Sequence, residues 1–126
     1  ATLIPHSGNM QIGSGILLLP LFHPVHIAEE YASLDQLSGG RMILGVGVGY
    51  RKEEYNAFQV NMKKRGRMLE ESLQVIRALW TAEEVDHEGE FYKVKGTISC
   101  PPYQAGGPKV WIGASGPHGR RLVRPG

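Results

Sequence analysis

The chain has 126 residues, 41% of them hydrophobic, which suffices for one modest core and not for two. Its formal charge of +2 is small and its basic and acidic residues are interleaved, so neither a nucleic-acid nor a membrane-surface partner is expected. The single cysteine, Cys100, excludes an intramolecular disulfide, no apolar stretch approaches the ~18 residues of a membrane span, and residues 1–10 lack the apolar centre of a signal peptide, so the expected location is cytoplasmic.

After a polar start with the turn-like Ser7-Gly8-Asn9, the apolar run from Met10 to Leu19 passes through Gly13-Ser14-Gly15 and stops at Pro20; it reads as one buried strand. From Pro24 the period changes. Val25, Ala28 and Ala32, with Ile27, Tyr31, Leu34 and Leu37, recur at three- and four-residue steps, and Glu29, Glu30, Asp35 and Gln36 fall between them. This predicts an amphipathic helix opened by Pro24 and stopped by Gly39-Gly40. Met42 to Gly49 is a second buried strand, so strand, helix and strand form a βαβ unit with a parallel, right-handed crossover. The polar segment Tyr50 to Asn61 holds a short helix around Lys52 to Phe58. A longer helix, about Lys63 to Trp80, buries Leu69, Leu73, Ile76, Leu79 and Trp80 and turns Glu70, Glu71 and Arg77 to solvent. Val85 to Val94 alternates about Glu88-Gly89 and predicts a β-hairpin. Pro101-Pro102 and Gly106-Gly107-Pro108 then lead into a third buried strand from Lys109. The whole pattern is α/β.

Two of these strands end in glycine: Gly45-Val46-Gly47-Val48-Gly49, and Gly113-Ala114-Ser115-Gly116. Bare main chain of this kind suits the close approach of a flat or phosphorylated ligand, and it also suits a strand packed under a neighbour. The dinucleotide fingerprint needs glycine at its sixth position, where Tyr50 or Lys52 stands, and no Gly-Lys-Ser/Thr follows any strand for a P-loop. Unpaired N–H groups from Gly113 to Gly116 suit a phosphate, and a plain turn with Ser115 as N-cap fits them equally well. His23 and His26 flank Pro24 without a Cys or carboxylate at ligand spacing, so no metal site is expected; His6, His87 and His118 read as surface groups. Cys100 has no paired His. Glu53-Glu54 follow a strand end at the height for acid–base work, but read first as a solvated helix face. No catalytic residue is assigned.

Taken in order, Gly13-Ser14-Gly15-Ile16-Leu17-Leu18-Leu19-Pro20, His23-Pro24, Leu34-Asp35-Gln36-Leu37-Ser38-Gly39-Gly40-Arg41, Leu44-Gly45-Val46-Gly47-Val48-Gly49-Tyr50, Glu53-Glu54-Tyr55, Arg65-Gly66 with Glu70-Glu71, Leu79-Trp80-Thr81 and Trp111-Ile112-Gly113 resemble the luciferase-like monooxygenases. That family holds flavin-dependent monooxygenases and deazaflavin-dependent oxidoreductases. The resemblance implies a (β/α)8 TIM barrel of roughly 250 residues or more. Residues 1–126 would be a fragment of that single domain: about strands 3 to 5, the intervening helices and a β-hairpin insertion. It implies FMN or coenzyme F420, a deazaflavin, lying over the C-terminal strand ends. A non-proline cis peptide around Gly15-Ile16 would support the ring, Gly47, Gly49 and Tyr50 would border ring or substrate, and Gly113, Ala114, Ser115 and Gly116 would meet the ribityl or phosphate portion. A small-molecule substrate, a flavin or deazaflavin reductase and a homo-oligomer are the implied partners. The catalytic histidine often found on the family's strand two would lie before Ala1; Pro117 to Arg121 begin like the family's helix after strand five, and Val123 to Gly126 break from the expected continuation into a Gly-Asp-Gly segment. The alternative expectation is a non-catalytic truncated half-barrel that self-associates through open strand edges.

Overall fold

A computed structural model describes residues 1–114. Its frame is a parallel sheet centred on β3 (Met42–Gly47). Strands β1 (Ile12–Gly13) and β2 (Leu17–Leu18) both pair with one edge of β3, and β6 (Lys109–Gly113) pairs with the other. Helix α1 (Pro24–Ser38) crosses from β2 to β3; the short α2 (Lys52–Ala57) and the longer α3 (Arg65–Thr81) follow β3. A separate antiparallel hairpin, β4 (Val85–Glu88) and β5 (Lys93–Gly96), precedes β6.

The run from Met10 to Leu19 is therefore not one strand but two short ones. Gly13 pairs with Ile43 and Leu17 with Val46, so β1 and β2 together advance four residues while β3 advances three. One extra residue on the outer strand is a bulge, and it falls at Ser14-Gly15-Ile16, where the Gly15–Ile16 peptide is cis. The Ser14 hydroxyl replaces the interrupted ladder. It donates to Gly45 O (2.7 Å) and accepts from Gly45 N–H (3.1 Å) and from the Tyr31 hydroxyl (2.8 Å), which uses its one hydrogen and both lone pairs.

The helices cover one face of the sheet. Leu19, Ala28, Ala32, Leu44, Val46, Leu69, Val75 and Ile76 are fully buried there, and Trp80 Nε1 donates across the helix pair to Ala28 O (3.0 Å). The ends of α1 follow its sequence: Pro24 is the first helical residue, His23 caps it by accepting from Val25 N–H, and Gly39 (φ +64°) closes it in the left-handed conformation. Among the described strands only β3 is buried along its whole length; β6 alternates, so it is not the doubly buried strand expected.

Two carboxylates are buried, one of them, Glu71, expected in solvent. Asp35 accepts from the Gln104 backbone N–H and from Gln104 Nε2, each at 2.8 Å, and that amide also reaches Met42 O (3.2 Å). With Gln36 Nε2 on Pro101 O (2.8 Å) and Ser99 N–H on Glu29 (3.2 Å), α1 grips the loop that leads into β6. Glu71 accepts from Phe91 N–H and Tyr92 N–H, both at 2.9 Å, and from His87 Nε2 at 3.1 Å, so His87 is half-buried and not a free surface group. The hairpin turn spans residues 89–92, closed by Gly89 N–H on Tyr92 O (2.9 Å), rather than centring on Glu88-Gly89. A turn pressed against α3 needs an acceptor for its inward N–H groups, and that requirement outweighs the polarity of Glu71. Among the described residues, no helix is long and apolar enough to cross a membrane.

Candidate active site

The parallel register sets three strand ends level: Leu18 pairs with Gly47, and Gly47 with Gly113. On the sheet face away from the helices, just below these ends, lies an open groove of about 460 Å³ lined by Gly13, Gly15, Ile16, Gly45, Trp111 and Gly113 among others. Such a volume, apolar walls and exposed main chain are the ordinary features of a small-molecule pocket.

The glycines are bare for different reasons. A Cβ on Gly45 would stand 1.9 Å from Ser14 O, so this glycine admits the bulged backbone beside it. A Cβ on Gly47 would stand 2.3 Å, and one on Gly113 2.8 Å, from the same atom, Ile16 Cδ1. The room above those two residues is thus taken by Ile16, itself 47% exposed, and a ligand in the groove meets that side chain first. Gly15 faces open space. Gly49 needs its freedom for conformation: at φ +70° it turns the chain away from β3 toward Tyr50, which is 82% exposed and outside the groove lining. Ala114 is exposed; Ser115, Gly116 and His118 lie outside the described residues.

Two residues that sequence reasoning passed over shape this end of the sheet. Trp111 pairs with Gly45 and projects into the groove, 63% exposed. Strict alternation along Lys109-Val110-Trp111-Ile112-Gly113 would have placed it on the face of Gly113, opposite Val110 and Ile112. Tyr55, fully buried in α2, donates its hydroxyl to Val48 O and pins the exit of β3. Burial pushes its pKa above the ordinary value; the Arg65 charge opposes this and Glu54 adds to it.

The remaining candidates are not brought together. Glu53 and Glu54 occupy the first turn of α2, where the helix dipole favours acids, and neither lines the groove. His23 caps α1, and His26 pairs with Glu30 (3.1 Å) in solvent. Cys100 has the Ser33 hydroxyl as a neighbour at 3.7 Å. Among the described residues, no group of His, Cys, Asp or Glu has the arrangement of a metal site.

The family model for luciferase-like monooxygenases matches residues 1–124. The oxygenase component of a flavin-dependent trigonelline monooxygenase from Acinetobacter baylyi is 31% identical, over 98% of this chain and 35% of its own length. An F420-dependent glucose-6-phosphate dehydrogenase from Rhodococcus hoagii is 37% identical, over 86% of this chain and 34% of its own. Among solved structures, a monooxygenase from Streptomyces bottropensis matches with a TM-score of 0.77 at 27% identity, covering 81% of this chain and 31% of that one. A riboflavin lyase matches in fold with a TM-score of 0.84 at 24% identity, over 97% of this chain and 33% of that one. The chain spans about a third of the length of the curated relatives it matches.

Proposed function

Because the chain belongs to the luciferase-like monooxygenase family, we propose that it supplies about strands 3 to 5 of a (β/α)8 barrel and serves an oxidoreductase that works through reduced FMN or coenzyme F420. The observation that carries this reading is the level set of strand ends at Leu18, Gly47 and Gly113 beside an apolar groove. Barrel enzymes place their chemistry at the C-terminal ends of the strands.

The residues fit a flat tricyclic ring. Ile16 and Trp111 offer it exposed apolar surface in the groove, and Gly15, which also lines it, faces open space. When bound, a reduced flavin supplies a hydride or activates oxygen, whereas F420 supplies a hydride without oxygen. This chain's part is to hold the ring by its face, keep water from the groove through apolar walls, and bring the main chain at Gly113 and Ala114 to the ribityl or phosphate portion. Gly49 and Tyr50 would border a small-molecule substrate. A separate reductase is supported, for the FMN case, by the description of the Acinetobacter relative as an oxygenase component.

The test is a titration of the protein with FMN and with F420, followed by tryptophan emission and by the cofactor's absorption. One of the two is expected to bind in the micromolar range or tighter. Trp111→Phe should remove most of the tryptophan quenching while binding persists by absorption, because Trp80 is buried in the helix layer. Anaerobic turnover with reduced F420, set against turnover with reduced FMN and oxygen, then separates the two chemistries. Failure of both cofactors to bind at high micromolar concentration refutes the reading.

A further inference from the structure

We infer that Gly47 and Gly113 are positioning residues that act through Ile16: together they form a socket that seats its side chain and so fixes the depth of the groove. The inference rests on the proposal that the groove holds the cofactor ring, and it assigns these glycines a role other than direct contact with that ring.

The two glycines are register partners on neighbouring strands, so their missing side chains leave one shared hollow. A single methyl group fills it. Ile16 Cδ1 lies 2.3 Å from where a Cβ of Gly47 would be and 2.8 Å from that of Gly113, while Cγ1 and Cγ2 lie at ordinary contact distances of 3.5 Å from the first and the second respectively. Neither glycine has a positive φ, so neither is required by its own backbone. The nearest obstacle to a side chain at both positions is the same terminal methyl. The two bare positions seat the tip of Ile16, and the side chain, 47% exposed, lines the groove. A methyl added beneath it displaces Cδ1, the free end of a half-exposed side chain, and the displaced tip is expected to enter the space proposed for the ring.

The test uses the protein with FMN and F420 as probes. Gly113→Ala is expected to weaken whichever probe the wild type binds by roughly tenfold, as moderate overpacking does. Ile16→Val removes Cδ1 and keeps the branched shape, so the pair Gly113→Ala with Ile16→Val should bind within about threefold of Ile16→Val alone. The visible absorption band of the bound probe should shift in Gly113→Ala and return in the double variant, a response that loss of fold would not produce. Gly47→Ala should follow the same pattern with a larger effect, since its Cβ would also lie 3.3 Å from Gly113 O; if that variant fails to fold, Gly113→Ala on the outer strand decides. Wild-type affinity in Gly113→Ala, or a double variant whose loss is the product of the two single losses, overturns the socket. If the wild type binds neither probe, the cofactor reading falls by itself. The urea midpoints of the same four proteins then judge the socket: rescue of Gly113→Ala by Ile16→Val supports it, and additive losses overturn it.

Discussion

Replacing Glu71 by Gln tests the account of the hairpin directly. One carboxylate oxygen, Oε1, accepts from Tyr92 N–H and His87 Nε2, and the other, Oε2, accepts from Phe91 N–H. A glutamine amide oxygen in the first position keeps its two partners, but the NH₂ group then faces the Phe91 N–H, donor against donor. The loss of one charge-assisted hydrogen bond, with an N–H left unsatisfied in a partly buried place, costs about 2 kcal/mol. If that cost appears as local opening, hydrogen-exchange protection of the Phe91 and Tyr92 amides should fall about 30-fold, while the Leu44 and Val46 amides in β3 keep theirs. The carboxylate also titrates. Burial alone would raise its pKa, but the hydrogen bonds from His87, Tyr92 and Phe91 together outweigh burial and hold it below the ordinary 4.5. Its contribution is therefore fully present above pH 4.5 and fades as pH falls through the lowered value. Glu71→Gln should show no such fading in that window. Protection at residues 91 and 92 within about threefold of wild type would refute the claim that this carboxylate holds the turn.

Other perturbations separate the remaining parts of the argument. Ser14→Ala leaves Gly45 N–H, Gly45 O and the Tyr31 hydroxyl without their shared partner, and should cost about 2–3 kcal/mol in urea unfolding; Tyr31→Phe, which removes only the outer donor, should cost about 1 kcal/mol or less. Asp35→Ala, at a fully buried carboxylate, should cost about 3 kcal/mol and loosen the loop around Gln104, visible as faster exchange of the Gln104 amide. Burial holds the Tyr55 phenol protonated past its ordinary 10.0, so its share of stability is present below pH 10.0 and is lost as pH rises through the raised value. Tyr55→Phe should flatten that alkaline loss, and an unchanged alkaline profile would count against the burial argument.

Periodicity carried most of the framework. The apolar steps and flanking Pro24 and Gly39 foretold α1 to within a residue, the stripe from Leu69 to Trp80 foretold α3, and the glycine-punctuated run from Met42 foretold β3. Family resemblance, not pattern, pointed to a cis peptide at Gly15–Ile16, and the bond is there. The bulge at Ser14 was not legible because an apolar run announces burial without announcing register, and one inserted residue leaves hydropathy unchanged. Glu71 was misplaced because polarity was read as exposure; it and Asp35 both sit where turn and loop N–H groups need acceptors from a neighbouring element far away in sequence. The glycines of β3 and β6 revealed that space had been cleared, but the identity of the occupant, Ile16, depends on a third strand segment folding alongside.

The grip of α1 on residues 99–104 has a further consequence for how this protein can diversify. Because Glu29, Asp35 and Gln36 hold the chain after the hairpin has ended, the direction in which β6 enters the sheet is dictated by the crossover helix and not by the excursion before it. The two-stranded ribbon is thereby kept from aiming β6: a variant ribbon that still gives Glu71 its turn N–H groups and fills the places of Val85 and Val94 in the core leaves Trp111 and Gly113 arriving at the same place.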